Sequence, residues 1–290
     1  MKEISFVNVI KDCQGYTPLS NISLKLECGG FYGIFGRENS GKTTVISLLS
    51  GRIFPDTGSI LADGQPISSD DKLLRLICCS SEICAYPKLM KASAVMDAMN
   101  HLCPAYDLDY AYRLMNEFKL SPDTRVKDMT EAKKPLFSAI NALAANAELT
   151  CLDEPAKGLS EEDRRRFYRL LSKKYEADKK TICLATHFVR EAADIITHVI
   201  MLNSGRLICC VPVEFFRKNG YTVKGKRGLV EDFVSNKKTF GSITNGQNKT
   251  AFVLGVRPIN SPRNLSFGKL DLEVVFSEMT GTTDEEGSEG

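Results

Sequence analysis

An α/β fold is the class this sequence predicts, and three observations predict it. A mostly apolar run, Phe31 to Phe35, leads into a glycine-bounded loop and then into a helical pattern carrying Val45, Ile46, Leu48 and Leu49. Two further apolar runs, Leu149 to Leu152 and Thr181 to Ala185, have the length of buried strands and end in polar residues. The stretch between the first two of these runs, Ala92 to Ala147, recurs at helical spacing.

In chain order, Ile4, Phe6 and Val9 suggest one short strand, and Ile22, Leu24 and Leu26 alternate with Ser23 and Lys25 as a second. Tyr16 to Asn21 supplies the link, and Cys28-Gly29-Gly30 turns the chain into the buried strand. The loop that follows, Gly36-Arg37-Glu38-Asn39-Ser40-Gly41-Lys42-Thr43 with Thr44 behind it, fits the phosphate-binding pattern of glycine, four residues, then Gly-Lys-Thr. The residue types carry the chemistry. Glycines let backbone N–H groups close around phosphate oxygens, and the helix N-terminus adds partial positive charge. Lys42 would reach the β- and γ-phosphates of a bound nucleotide, and the Thr43 hydroxyl would ligate Mg2+.

After this helix come turns at Gly51 and Pro55-Asp56-Thr57-Gly58, a strand at Ser59-Ile60-Leu61 and a turn at Asp63-Gly64. Leu73 to Cys79 reads as another buried strand. Three helices are expected next: one carrying Val95, Met96, Met99 and Leu102, then Tyr110 to Leu120, then Lys134 to Ala147. The strand at Leu149 ends in Asp153-Glu154-Pro155. A carboxylate at the end of a buried strand needs a compensating cation. Mg2+ held by Asp153 supplies one, and Glu154 is then placed to polarise an attacking water. Thr186-His187 closes the strand at Thr181 to Ala185, at the end of an α/β sheet where ligand crevices lie.

Composition narrows the classes. At 290 residues the chain can bury a full core, and one large domain with a small appendage fits best. With 38 Lys and Arg against 36 Asp and Glu, it lacks the basic balance of a dedicated nucleic-acid binder. Its ten cysteines mostly sit in apolar runs without metal-ligand spacing and read as reduced, small hydrophobes. The opening residues lack the pattern of a signal peptide, and no run approaches the length of a membrane span, so membrane contact is expected to be mainly indirect.

The three motifs together resemble the ATP-binding subunits of ABC transporters over about residues 1 to 212: GRENSGKTT as Walker A, LTCLDEP as Walker B, and ATHFVREAADIITHVIMLNSGRL as the switch-histidine segment. The resemblance implies a P-loop NTPase with a mainly parallel sheet core, a small antiparallel sheet and a helical subdomain at about 88–147. It also implies ATP and Mg2+ as ligands, catalysis by Lys42, Glu154 and His187, and metal held by Thr43 and Asp153. Its partners would be an integral membrane transporter subunit and a second nucleotide-binding subunit, at the cytoplasmic face of the cell membrane, with no nucleic acid. The single nucleotide domain and the ending Leu272 to Thr280 look most like bacterial drug or peptide exporters.

Departures from the family pattern cluster on one side. The LSGGQ signature falls on Met129-Thr130-Glu131-Ala132-Lys133, where both glycines are lost, and the Q-loop glutamine falls on Ser81 beside Glu82. The D-loop aspartate position is Ser160. The adenine-stacking aromatic is displaced too: Cys13 occupies that place, with Tyr16 the nearest substitute. What a subunit keeps for itself is intact, and what it lends across a dimer is eroded. A heterodimer with an intact partner is therefore favoured over a homodimer. Alternatives are a nucleotide-binding pseudo-subunit with little hydrolysis and a non-transport ABC ATPase.

Beyond residue 212 the sequence suggests a small α+β accessory domain over 213–281. A short helix is expected at Phe215 to Lys218, a hairpin turn at Asn245-Gly246 before a strand at Ala251 to Gly255, and a helix at Leu272 to Met279. Arg217, Lys218, Lys224, Lys226 and Arg227 form a basic run. Residues 282–290 are acidic and Gly/Ser-bearing, the composition of a disordered tail.

Overall fold

The computed structural model describes residues 1–13, 16–67, 71–258, 262 and 264–281, with the side chains of Tyr16, Asp71 and Phe240 outside the description. The acidic tail therefore lies outside the described residues. The chain divides after Cys210 into two compact units.

In the first unit, β1 (Glu3–Cys13) and β2 (Tyr16–Glu27) are longer than the sequence suggests and pair antiparallel. β3 (Phe31–Phe35) is buried along its whole length and feeds α1 (Lys42–Leu49) through the glycine loop. β4 (Thr57–Ala62) and the two-residue β5 (Gln65–Pro66) complete a four-stranded antiparallel sheet in the order β2-β1-β4-β5. Leu73 to Cys79 is not one strand. It splits into α2 (Asp71–Leu74), whose turn closes through Leu76 N–H to the Leu73 carbonyl, and the short β6 (Ile77–Cys79). Adjacent leucines at 73, 74 and 76 serve a helical turn as readily as a strand, so the apolar run alone did not decide.

The helical stretch comprises α3 (Ala92–Leu102), α4 (Leu108–Glu117) and α5 (Lys133–Ala144). Asp107 caps α4 by accepting from Tyr110 N–H. Every residue of α5 from Pro135 to Ala144 is buried, which suits a helix enclosed on all sides. It stops short of the expected Ala147 because Asn146, at φ 56°, turns the backbone left-handed. β7 (Leu149–Asp153), α6 (Glu161–Asp178), β8 (Thr181–Ala185), α7 (Val189–Ala193), β9 (His198–Asn203) and β10 (Arg206–Pro212) follow.

A six-stranded sheet runs β10-β9-β3-β8-β7-β6, with parallel pairing from β9 through to β6. Both faces of β3, β7 and β8 are covered, so these strands read as apolar runs rather than alternating ones. α1 packs against this sheet, its Val45, Ile46 and Leu49 meeting Ile34, Cys151 and Cys183 in one core. Cys79, Cys151 and Cys183 stand in register across β6, β7 and β8. All ten cysteines are free thiols, and burial pushes Cys79 up to about 12. These three are packing residues, as the sequence suggests.

The second unit is a four-stranded antiparallel sheet in the order β12-β13-β11-β14. Its strands are β11 (Gly220–Lys226), β12 (Lys238–Asn245), β13 (Asn248–Leu254) and β14 (Ser266–Lys269). α8 (Val213–Asn219), α9 (Arg227–Val234) and α10 (Leu272–Met279) complete it. Val230 of α9 packs with Tyr221, Val223, Ala251 and Val253 from one sheet face. The basic run is not bare: Arg217 pairs with Glu214, and Arg227 with Glu231.

Candidate functional site

The site lies at the carboxyl ends of β3, β7 and β8, where parallel strands leave their backbone groups and side chains facing a crevice. The glycine loop doubles back so tightly that a Cβ on Gly36 would collide with Ser40 Oγ. Gly41 opens α1 at φ 100°, and a Cβ there would come within 2.5 Å of the Pro18 carbonyl oxygen. Asn39 takes φ 59°, a conformation asparagine tolerates better than most residues. The β9–β10 turn braces the loop from outside through Gly205 N–H to the Ser40 carbonyl. α1 starts without a side-chain cap, leaving the N–H groups of its first turn directed at the loop's mouth.

Lys42 folds over the loop and donates to the carbonyls of Gly36 at 2.7 Å and Arg37 at 3.0 Å. Burial pulls its pKa down, against the attraction of Glu154 and Asp153, which holds it up. Arg37, Glu38, Asn39 and Thr43 are exposed, Thr44 is half-buried, and the buried Ser40 Oγ has no hydrogen-bond partner.

Across from the loop, Asp153 is 1 % exposed. Thr43 Oγ1 donates to its Oδ1 at 3.2 Å, while its buried Oδ2 has no partner. Burial raises its pKa to about 6, helped by the nearby charges of Glu154 and Glu82 and opposed by the Thr43 hydrogen bond. A buried, half-satisfied carboxylate beside a hydroxyl is a hard oxygen donor set, which suits Mg2+. Among the described residues no cluster of three His, Cys, Asp or Glu could hold a metal alone, so phosphate oxygens and water would complete the shell.

Glu154 sits at φ 47°, its N–H donating to the Ala185 carbonyl. That left-handed kink turns its carboxylate toward β8, where Oε2 lies 2.8 Å from His187 Nδ1. Lys42, Thr43, Asp153, Glu154 and His187 thus come together as the sequence suggests. The side chain of Tyr16 lies outside the described residues, and Cys13 is exposed.

The signature position is a different environment. The Thr130 carbonyl accepts from the N–H groups of Lys133 and Lys134, starting α5, and the Glu131 side chain is 91 % exposed and paired with Lys134 at 2.6 Å. Ser81 donates its N–H to Ser138 Oγ, and its neighbour Glu82 pairs with Lys157 at 2.6 Å. Lys157 is a charged residue of the site's rim that sequence reasoning passed over, three positions after Glu154. Ser160 caps α6 by accepting from Asp163 N–H, a structural role at the D-loop position. A groove of about 610 Å³ runs between these segments, lined by Ile83, Lys88, Lys127, Glu131, Pro135 and Lys157 among others. Ile83 and Leu89 are 81 % and 70 % exposed, whereas Tyr86 packs edge-on against Phe137 at 5.6 Å.

A glycine-lysine loop on a buried parallel strand, facing a buried aspartate and a histidine-bound glutamate, defines a P-loop ATPase of the cassette kind. The comparisons sharpen the class. Residues 19–157 match the family described as ABC transporter. The chain is 26 % identical over 197 residues to the ABC transporter ATP-binding protein YtrB of Bacillus subtilis (strain 168), covering 68 % of each. It is 28 % identical over 218 residues to the energy-coupling factor transporter ATP-binding protein EcfA2 of Acetivibrio thermocellus, covering 71 % of this chain and 76 % of that one. Among solved structures, a dimer of the ATP-binding cassette MJ0796 in a post-hydrolysis state with ADP and Pi shares the fold. Its TM-score is 0.64 at 20 % identity, over 72 % of this chain and 98 % of that one. Over residues 19–157 the chain is similar to the ATP-binding domain of ABC transporters, and its fold is that of the ATP-binding cassettes.

Proposed function

We propose that this chain is the ATPase subunit of an ABC transporter, works as one half of an asymmetric nucleotide-binding dimer and powers export through a separate membrane subunit. The observation that supports it is the Thr43 hydrogen bond to the buried Asp153 with its orphan carboxylate oxygen, in a chain whose signature segment carries Glu131 in place of glycine. Residues 1–212 then form the nucleotide-binding domain, with the helical subdomain at about 88–147 and an accessory domain at 213–281.

In this reading the N–H groups of residues 36–44 and the Lys42 ammonium hold the triphosphate, and Lys42 exchanges two carbonyl partners for phosphate oxygens. Thr43 and Asp153 hold Mg2+, which when bound neutralises developing charge on the phosphate oxygens. Glu154 accepts the proton of the attacking water, and His187 holds that carboxylate in place. No helix among the described residues is long and apolar enough to cross a membrane. Attachment to the cytoplasmic face runs through a partner, for which the groove beside Ile83 and Leu89 offers an exposed apolar wall with lysines on its rim.

Export rests on the Leu272 to Thr280 ending, while the relatives include the ribose import ATP-binding protein RbsA 1 of Rubrobacter xylanophilus, 24 % identical over 246 residues and matched over 49 % of its length. The test is ATP turnover by the chain alone and with a candidate partner bearing an intact LSGGQ segment. Slow turnover alone and a rise with the partner support the asymmetric dimer. Robust turnover by the chain alone overturns it.

A further inference from the structure

Arg164 of α6 makes three contacts, two on the switch segment and one on the segment that follows Walker B. Its Nε lies 3.0 Å from Glu191 Oε1 on α7, with both side chains about four-fifths buried. One guanidinium N–H donates to the Leu159 carbonyl at 3.3 Å, in the segment that follows Walker B. The guanidinium carbon stands over the Phe188 ring, 4.3 Å from its centroid. The same ring meets His187, with ring centroids 3.9 Å apart and the planes tilted by 40°, and His187 in turn meets Glu154.

The backbone of this segment is already held by other groups. Thr186 Oγ1 accepts from Phe188 N–H and meets the buried Tyr168 hydroxyl at 3.0 Å, and His187 N–H reaches Glu154 Oε2 at 3.4 Å. What those bonds leave free is rotation of the two rings about their side-chain bonds. The histidine ring is half-exposed, so packing alone does not lock it.

We infer that Arg164 is a positioning residue for the switch histidine: stacked on Phe188, it fixes the ring orientation that sets His187 Nδ1 on Glu154, and through the Leu159 carbonyl it ties that orientation to the segment after Walker B. Arginine suits the task because its planar fork can stack, donate to a carbonyl and pair with a carboxylate at once; lysine can do one of these well at a time. The kinetic side of the inference rests on the proposed hydrolytic role of Glu154; the structural side does not.

The chain contains only three histidines, so imidazole NMR of the full-length protein resolves His187 against His101 and His198 as internal controls. In Arg164→Ala the His187 ring resonances move and broaden while those of His101 and His198 stay in place. Glu191→Gln, which weakens the anchor without opening a cavity, moves them in the same direction by less, and Arg164→Lys restores thermal stability but not the His187 signal. In the partner-activated ATPase assay, Arg164→Ala lowers turnover by about tenfold with half-saturating ATP changed less than about twofold. Unmoved His187 resonances in both Arg164→Ala and Glu191→Gln overturn the inference. So does full recovery of the His187 signal in Arg164→Lys, which would reduce the role to charge. Should Arg164→Ala fail to fold, Glu191→Gln and Arg164→Lys decide. A chain that shows the NMR response without ATP turnover upholds the positioning role and refutes the hydrolytic reading.

Discussion

Two helix N-termini in this molecule invite comparison, because both begin without a side-chain cap and only one is shaped for phosphate. α1 starts from Gly41 in a left-handed turn, beside the inward-folded Lys42. α5 starts from Ala132 in a helical turn, preceded by the Glu131 carboxylate. Both lie at the positive end of a helix dipole, although at α5 the N–H groups of Lys133 and Lys134 already donate to the Thr130 carbonyl. At α1 that charge is reinforced by a half-buried ammonium and reached past glycines; at α5 it is opposed by an anion and screened by side chains. The dipole alone does not make a phosphate site. Access and the sign of the neighbouring side chain decide, and here they point in opposite directions.

The largest test of this contrast removes the ammonium. Lys42→Ala should abolish stabilisation by MgATP in thermal unfolding, where the wild type at about a hundredfold excess over Kd gains about 2.7 kcal/mol. Next, Glu154→Gln should lower partner-stimulated turnover by about 10²- to 10⁴-fold in a single-turnover assay while binding of labelled ATP persists. Asp153 gives the third. In the metal-free chain its native pKa near 6 exceeds the ordinary 3.8, so the native state binds more protons between those values and stability falls as pH rises through the window. Asp153→Asn should flatten that slope and exceed the wild type by about 3 kcal/mol above about pH 7, read from urea denaturation in a chelator. Fourth, rebuilding Met129 to Lys133 as LSGGQ should raise turnover and ATP-dependent self-association of the isolated chain by about tenfold or more. It would lift a repulsion of up to roughly 4 kcal/mol for charges about 4 Å apart at a dielectric near 20. The smallest effect sharpens the contrast: Glu131→Gln, losing only an exposed ion pair, should change the unfolding free energy from urea denaturation by no more than about 0.5 kcal/mol.

The phosphate half of the site was legible because its residue types and spacing follow from backbone sterics. Gly36 and Gly41 sit where a Cβ would meet Ser40 or the Pro18 carbonyl, and Asp153 ends a strand too apolar to carry a charge without a partner. Helices α3, α4 and α10 were legible for a similar reason, since their apolar faces repeat at helical spacing. The rest depended on long-range contacts that periodicity does not encode. Nothing in Leu73 to Cys79 says that its first half turns helical. The strands β11 and β14 carry lysines and glycines that read as loop until their pairing is seen. Arg164 lies in the run SEEDRRR, whose acids and bases suggest an exposed helix face with i,i+4 pairs; Arg165 and Arg166 do make such pairs. Its turn inward onto Phe188 follows from where α7 packs. Tyr86 lies between the exposed Ile83 and Leu89, yet the Phe137 ring supplies it an internal partner.

The cysteines in register across β6, β7 and β8 have a consequence for measurement. Cys151 and Cys183 are fully buried, and the thiol of Cys151, two residues from Asp153 on the same face of β7, is pushed up by its hydrogen bond with Cys183 and by burial. A thiol in that condition reacts with an alkylating reagent only when the strands part. Timed labelling followed by mass spectrometry would therefore count opening events of the sheet beneath the nucleotide crevice, and nucleotide that binds the closed form would slow the clock in proportion to its occupancy. The molecule carries its own stopwatch, wound into the floor of its site.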